Sequence, residues 1–409
     1  MDAGLRLFLK VALPLAALNF LNQASRTVMA IIGPVLAVEF AFSASELGLL
    51  AACMFAAYAA AQLPVGLALD MLGTRRVQAT LSLVTAAGFA LFAYSDGLAG
   101  FSLARVVLGV GISAGLMAIL KANTQWFAPA QVAGMTGLAM AVATLGSVLT
   151  TAPVEAALPL LGWRGVFWLL AGVAVAVAVW IYASVRDKPR PAVQRTLRDE
   201  LAVMRQVLAS PRFWRYGPAV AMLSILNFTY LGLWAGPWLR DVAGYDGPAR
   251  AQTLLFYTLA MTAGTFLSGQ ASSRVQTSGR SALLVPGLCY AGLLGAQIGL
   301  VLQPSSTATV TALWVLFAFF GSAGPTGYVA VGQMFPPEQM GRVSTGINTL
   351  LLVGAFLLQA AIGWILDLWP RSAAGGWDPR GYSAALLVSV AMQLVIAARL
   401  VGDGAKMRA

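Results

Sequence analysis

A chain of 409 residues has room for roughly two or three soluble domains, but 59% hydrophobic residues against 10% charged and a mean hydropathy of +0.78 leave too little polarity to clothe such a surface. The composition describes a polytopic membrane protein, and the absence of His removes imidazole metal sites, Ser-His-Asp triads and imidazole proton relays, so neither an enzyme nor a metal or cofactor centre is expected. The net charge of +11 does not point to nucleic acid, because the basic residues sit at the ends of apolar blocks and in short connections, where they report topology.

Pro, Gly and charged residues punctuate twelve apolar blocks, beginning near residues 9, 44, 77, 98, 132, 163, 216, 250, 281, 308, 342 and 381, each long enough to cross a hydrocarbon core of about 30 Å. The chain runs from Arg6 and Lys10 directly into the first block without a small-residue cleavage site, so that block is read as a retained span. Within it Asn19, Asn22, Gln23 and Arg26 fall at i, i+3, i+4 and i+7, four polar groups on one face of an otherwise apolar helix. An Arg near the bilayer centre costs about 2.5–3.5 kcal/mol, so Arg26 should face the bundle interior and have a partner. The fifteen acids of the chain lie in turns, in termini or near block ends, Glu155 being the deepest. A guanidinium whose acid is missing from the protein finds it on the solute, since its planar donor fork suits carboxylate or phosphate oxygens. The other reading has Arg26 held by helix carbonyls, Asn22 or Gln62 as a bundle fastener.

The second block adds Tyr58 and Gln62 at i and i+4 and ends in the turn Gly66-Leu67-Ala68-Leu69-Asp70-Met71-Leu72-Gly73-Thr74-Arg75-Arg76. The fourth contains Arg105-Val106-Val107-Leu108-Gly109-Val110-Gly111 and, near its end, Lys121, read either as a second anion contact or as a side chain snorkelling to the interface. Cys53 and Cys289 lie inside apolar blocks and read as small core residues. Between blocks six and seven the connection from Arg186 to Arg215 carries eight Arg or Lys against three acids, which makes it cytoplasmic, together with the Asp70–Arg76 turn and both termini. An imperfect apolar stripe along it, Leu197, Leu201, Val203, Met204 and Leu208, allows a surface helix or a solvated linker. This division gives residues 1–186 as one six-helix bundle, 187–215 as a linker and 216–409 as a second bundle.

The seventh block places Asn227, Tyr230 and Trp234 on one face, and Gly236-Pro237 near its end offers a bending point. Gly321, Gly324, Pro325 and Gly327 do the same in the tenth, which also carries Tyr328. Asn348 and Gln359 share a face of the eleventh. The two halves repeat at a constant offset of 208 residues: Asn19-Phe20 with Asn227-Phe228, Phe127 with Phe335, Pro129 with Pro337, Gln131 with Gln339, and Gly146 with Gly354. Six spans intervene, so the repeat is parallel, which is the geometry of a carrier that exposes a central solute site to either face in turn.

The turn after the second block closely resembles the Gly-x-Leu-Ala-Asp-x-x-Gly-x-Arg-Arg signature of the major facilitator superfamily, and Arg105 with the spaced pair Gly109 and Gly111 is similar to that family's second signature. The resemblance implies an all-α membrane fold of twelve transmembrane helices in two parallel-repeat bundles. It also implies a latch at Asp70, accepting hydrogen bonds from a neighbouring helix N-terminus, with Gly66 and Gly73 for close approach, Arg75 and Arg76 as cytoplasmic anchors, and Arg105 in conformational coupling. The second-half copy keeps Gly269, Arg274, Gly279 and Arg280 but has Ser273 where an acid is expected. The antiporter pattern of the fifth span is half present: Gly137 and Gly146 stand, while Thr150 and Thr151 replace a Gly-Pro pair.

The expectation is therefore a bacterial inner-membrane secondary transporter, monomeric in the bilayer, moving a small organic anion by alternating access. Arg26 is its principal contact. Asn19, Asn22, Gln23, Tyr58, Gln62, Lys121, Asn227, Tyr230, Trp234, Tyr328, Asn348 and Gln359 are the candidate lining, and Glu155 and Asp70 are the available carboxylates for proton coupling. The alternative is an efflux pump for amphipathic drugs. A membrane enzyme or a sensor on the same fold lacks, respectively, a clustered catalytic set and a signalling domain.

Overall fold

The computed structural model describes residues 7–187, 197–336, 339–372 and 375–406. Pro337 of the repeat and the centre of the polar connection, 188–196, lie outside the described residues, as do the side chains of Leu197, Leu201 and Val203. Every described regular element is helical. In the first half these are α1 (Leu13–Glu39), α2 (Ala44–Leu72), α3 (Thr74–Tyr94), α4 (Leu98–Gly111), α5 (Gly115–Trp126), α6 (Pro129–Leu149) and α7 (Ala152–Ser184). The connection contributes α8 (Leu197–Ala209). In the second half follow α9 (Pro211–Thr229), α10 (Ala235–Asp241), α11 (Gly247–Thr277), α12 (Leu284–Val301), α13 (Thr307–Gly321), α14 (Gly324–Gly332), α15 (Met340–Leu366) and α16 (Pro379–Lys406).

These elements are the twelve apolar blocks, several of them broken. Among the described residues, eight helical stretches are long and apolar enough to span a membrane, Pro211–Asp241 and Thr307–Gly332 each counted as one. Among the other blocks, α1 and α11 carry polar stripes and block four is split into α4 and α5, while α6 runs for 21 residues to Leu149, ahead of Thr151, which leaves the helical region at φ −104°, ψ −108°. The helix that continues from Ala152 meets the sixth block at Gly162, whose φ of +63° is open to Gly. The bend expected at Gly236-Pro237 lies one turn earlier, as a π-helical turn over Tyr230–Trp234. Pro237 lacks an amide hydrogen and its ring crowds the carbonyl four residues back, and the wider turn absorbs that defect. The tenth block breaks between Gly321 and Gly324, as its glycines suggested.

By internal contacts the chain forms two units, one of Met1–Phe42 with Leu49–Val193, the other of Ser43–Gly48 with Gln194–Ala409. In the first unit α1 and α6 cross so tightly that a Cβ on Gly146 would stand 2.0 Å from the Phe20 carbonyl oxygen. In the second unit the repeat-related Gly354 lies at the α9–α15 crossing, where a Cβ would meet Ile225 Cδ1 at 2.4 Å. Each unit closes one end with aromatic and charged side chains. Phe92 and Phe167 stack at 4.1 Å beside Trp163, whose Nε1 donates to Glu39 at 2.7 Å. In the second unit Asp241 accepts from the Tyr382 hydroxyl at 2.8 Å and the Trp377 amide at 3.0 Å.

Candidate functional site

The polar face of α1 is buried as its spacing required: Asn19, Asn22 and Arg26 are 4%, 3% and 7% exposed, while Gln23 is half-buried. Asn22 Nδ2 donates to Asn19 Oδ1 at 3.1 Å, and Asn19 Nδ2 points at the Met140 sulfur at 3.4 Å. The Arg26 guanidinium lies 5.3 Å from the ring centroid of Tyr58 and 5.6 Å from that of Phe55, both on α2. Ring faces attract a guanidinium without neutralising its charge. Gln62, one turn beyond Tyr58, keeps a buried Oε1 with no hydrogen-bond partner. Five of the expected first-half contacts (Asn19, Asn22, Arg26, Tyr58 and Gln62) thus fall on the two helices α1 and α2, with Arg26 stacked on Tyr58.

Behind this face sits the second signature. Arg105 is 1% exposed and donates from Nη1 to the Ser25 carbonyl at 2.8 Å and from Nε to the Leu50 carbonyl at 3.4 Å. It thereby ties α4 to α1 and α2 in the turns that hold Arg26. Gly109 and Gly111 make the approach feasible: a Cβ on the first would lie 2.3 Å from the Met54 carbonyl oxygen of α2, and on the second 2.4 Å from Thr85 Oγ1 of α3.

The first signature brings two charged side chains together. Asp70 is ion-paired with Lys121, and Lys121 also donates to the Leu69 carbonyl at 2.8 Å. The structure therefore places Lys121 against the turn after α2. Capping of the neighbouring helix is done by Asp187, whose Oδ1 accepts from the amides of Thr74 and Arg75 at 2.8 and 3.2 Å, a carboxylate at the positive end of α3. Gly73 is required twice over: its φ is +98°, and a Cβ there would stand 2.1 Å from Asp187 Oδ2. Gly279 in the degraded copy also has a positive φ, +75°. Gly66 has open space around it. Arg75 donates Nε to the Tyr182 carbonyl at 2.7 Å and lies 4.2 Å from that residue's ring centroid, whereas Arg76 is exposed. Asp187 was read only as one of three acids in the connection; an acid just past the last apolar residue of a span was its one sequence signal.

The second unit spends most of its expected contacts on itself. Asn227 donates to the Ala318 carbonyl at 3.2 Å and accepts from the Tyr257 hydroxyl at 2.6 Å. Trp234 Nε1 donates to the Gln359 carbonyl at 3.3 Å, and Gln359 Nε2 donates to the Thr229 carbonyl at 3.0 Å. Tyr230 packs at 5.5 Å from Trp314 and 5.3 Å from Phe317, ring centroid to centroid. Tyr328 and Asn348 are half-buried. Glu155 is half-buried in α7 with Oε2 enclosed and lacking a hydrogen-bond partner. No cluster of three or more Cys, Asp or Glu suited to a metal occurs among the described residues.

The family model described as Major Facilitator Superfamily matches residues 15–359. The chain is 23% identical over 318 residues to a probable sulfoacetate transporter of Cupriavidus necator, a match covering 74% of this chain and 73% of that protein. It is 22% identical over 383 residues to a hexuronate transporter of Bacillus subtilis, covering 88% and 89%. A solved bacterial homologue of the human lysosomal transporter Spinster, in an inward-facing and occupied conformation, aligns with a TM-score of 0.79 at 18% identity over 95% of each chain. At that identity the likeness speaks for the fold.

Proposed function

The chain belongs to the major facilitator superfamily, and from that premise we propose that it carries a small organic anion across a bacterial inner membrane by alternating access, with Arg26 as the main contact for the anion's carboxylate or phosphate-type oxygens. The observation that carries this reading is the charge inside the first unit. Arg26 and Arg105 are buried there, whereas the described acids of that unit are exposed, apart from the half-buried Glu155 of α7. Arg105 directs its hydrogen bonds to two backbone carbonyls, which orient the guanidinium but leave its charge in place to favour an anion nearby. The relatives named for sulfoacetate and hexuronate support the reading, since both cargoes are organic anions.

Asn22 and Gln62 are assigned to the solute beside Arg26, and Tyr58 to flanking the guanidinium. Lys121 is assigned to the Asp70 turn, and Asn227, Trp234 and Gln359 to holding the second unit's helices. In a proton-coupled cycle Glu155 takes the proton, since Asp70 is engaged by Lys121. The aromatic packing around Tyr230 and Trp314 favours the rival reading, export of amphipathic solutes. Uptake into proteoliposomes separates the two. Labelled carboxylates should accumulate with the wild type and fail to do so with Arg26→Ala. Transport of cationic dyes by both forms, with no carboxylate flux, would establish the rival.

A further inference from the structure

Beside the signature turn, the first unit has an open groove of about 560 Å³ between the start of α3 and the end of α7, lined among others by Arg76, Ala79, Thr80, Leu83, Val179 and Tyr182. That volume is within the ~300–1,000 Å³ range of ligand-binding clefts. Both helices are long and apolar enough to cross a membrane, and Leu83, Val179 and Tyr182 are 51%, 62% and 57% exposed, so in a bilayer the groove opens sideways to lipid. Arg76 is its one charged lining residue.

The charges around Arg76 are already committed. Asp187 is taken up by the amides of Thr74 and Arg75, and Arg75 by the carbonyl and ring of Tyr182. Arg76 itself is exposed in the first turn of α3, and none of the hydrogen bonds or ion pairs among the described residues involves its side chain. Arg186, also exposed, lies two residues beyond the end of α7. A bare guanidinium at the end of a span, above an apolar cleft, complements a molecule with an anionic head and a hydrocarbon tail. A soluble anion would leave the cleft's apolar walls unused.

We propose that this groove binds an anionic phospholipid of the surrounding bilayer, its phosphodiester on Arg76 and an acyl chain laid along Leu83 and Val179. The site is separate from the α1 polar face and stands whatever the carrier's solute proves to be.

Delipidated full-length protein, titrated in detergent with phosphatidylglycerol and separately with phosphatidylcholine, tests it by native mass spectrometry. The wild type should bind phosphatidylglycerol about fivefold more tightly, the worth of one well-placed cation at a membrane surface. Arg76→Gln should erase that preference, Arg76→Lys should retain most of it, and Ala183→Trp, which fills the groove, should weaken both lipids. Arg212→Gln, an exposed arginine elsewhere, should change nothing. Equal binding of the two lipids to the wild type, a preference that survives Arg76→Gln, or an equal loss in Arg212→Gln would overturn the proposal.

Discussion

The two units were built to one plan and filled with different chemistry. Asn19 and Asn227 occupy equivalent places in α1 and α9, and Gly146 and Gly354 equivalent crossings. Yet the first unit buries Arg26 and Arg105, whereas the second, among the described residues, buries amides and hydroxyls, with the enclosed carboxylate of Asp241 paired with Arg240 at the end of α10. A helical repeat constrains where helices touch far more than what their remaining faces carry. The close crossings persisted while the interior polarity diverged, and the proposed preference for anions rests on that asymmetry.

The sharpest way to break this comparison is at the shared glycines. Gly146→Ala drives a Cβ into a backbone carbonyl and should cost about 3 kcal/mol or more, while Gly354→Ala meets the end of a flexible Ile side chain and should cost about 1 kcal/mol. Thermal unfolding in detergent reads the difference, and equal losses would show that the two crossings are mechanically alike. Next in size is the buried charge. Arg105→Met deprives the Ser25 and Leu50 carbonyls of a charged donor, for about 2–3 kcal/mol, against about 1 kcal/mol for Gln359→Leu, which loses a neutral bond to Thr229.

The repeat-related asparagines should differ in the same assay. Asn227→Ala forfeits bonds to Ala318 and Tyr257 and should cost about 1–2 kcal/mol, with Asn19→Ala, whose one donor contact outside α1 is a thioether, nearer about 0.5 kcal/mol. The smallest effect belongs to Lys121→Met. Its partner Asp70 is 62% exposed, so the pair should contribute no more than about 1 kcal/mol, and anion affinity should be unchanged. A marked fall in affinity would return Lys121 to the solute.

The twelve spans were legible because hydrocarbon demands long apolar blocks, and the breaks between them are written in Gly, Pro and charge. The repeat was legible because Gly146 and Gly354 cannot drift while their crossings remain. The burial of Arg26 followed from its cost in lipid. What stayed hidden depends on distant residues meeting: Lys121 on Asp70, Asp187 on the amides after Gly73, Tyr257 on Asn227. Each is a short polar contact between residues 30 or more apart in sequence, which helical periodicity cannot report. The π turn at Tyr230–Trp234 was hidden for another reason, since Pro237 announces a defect without saying which turn will absorb it.

Ligand-induced stabilisation tests the role of Arg26 most directly. Purified protein is melted with a panel of carboxylates, sulfonates, phosphonates and cationic dyes, alongside Arg26→Ala and Arg26→Lys. At least one anion should raise the wild-type Tm. Arg26→Ala should need about 10–100-fold more of it, as loss of a charge-assisted hydrogen bond requires, and Arg26→Lys, which keeps the charge but not the fork, should lie between. Equal stabilisation of all three proteins, or stabilisation by cations alone, would contradict the account.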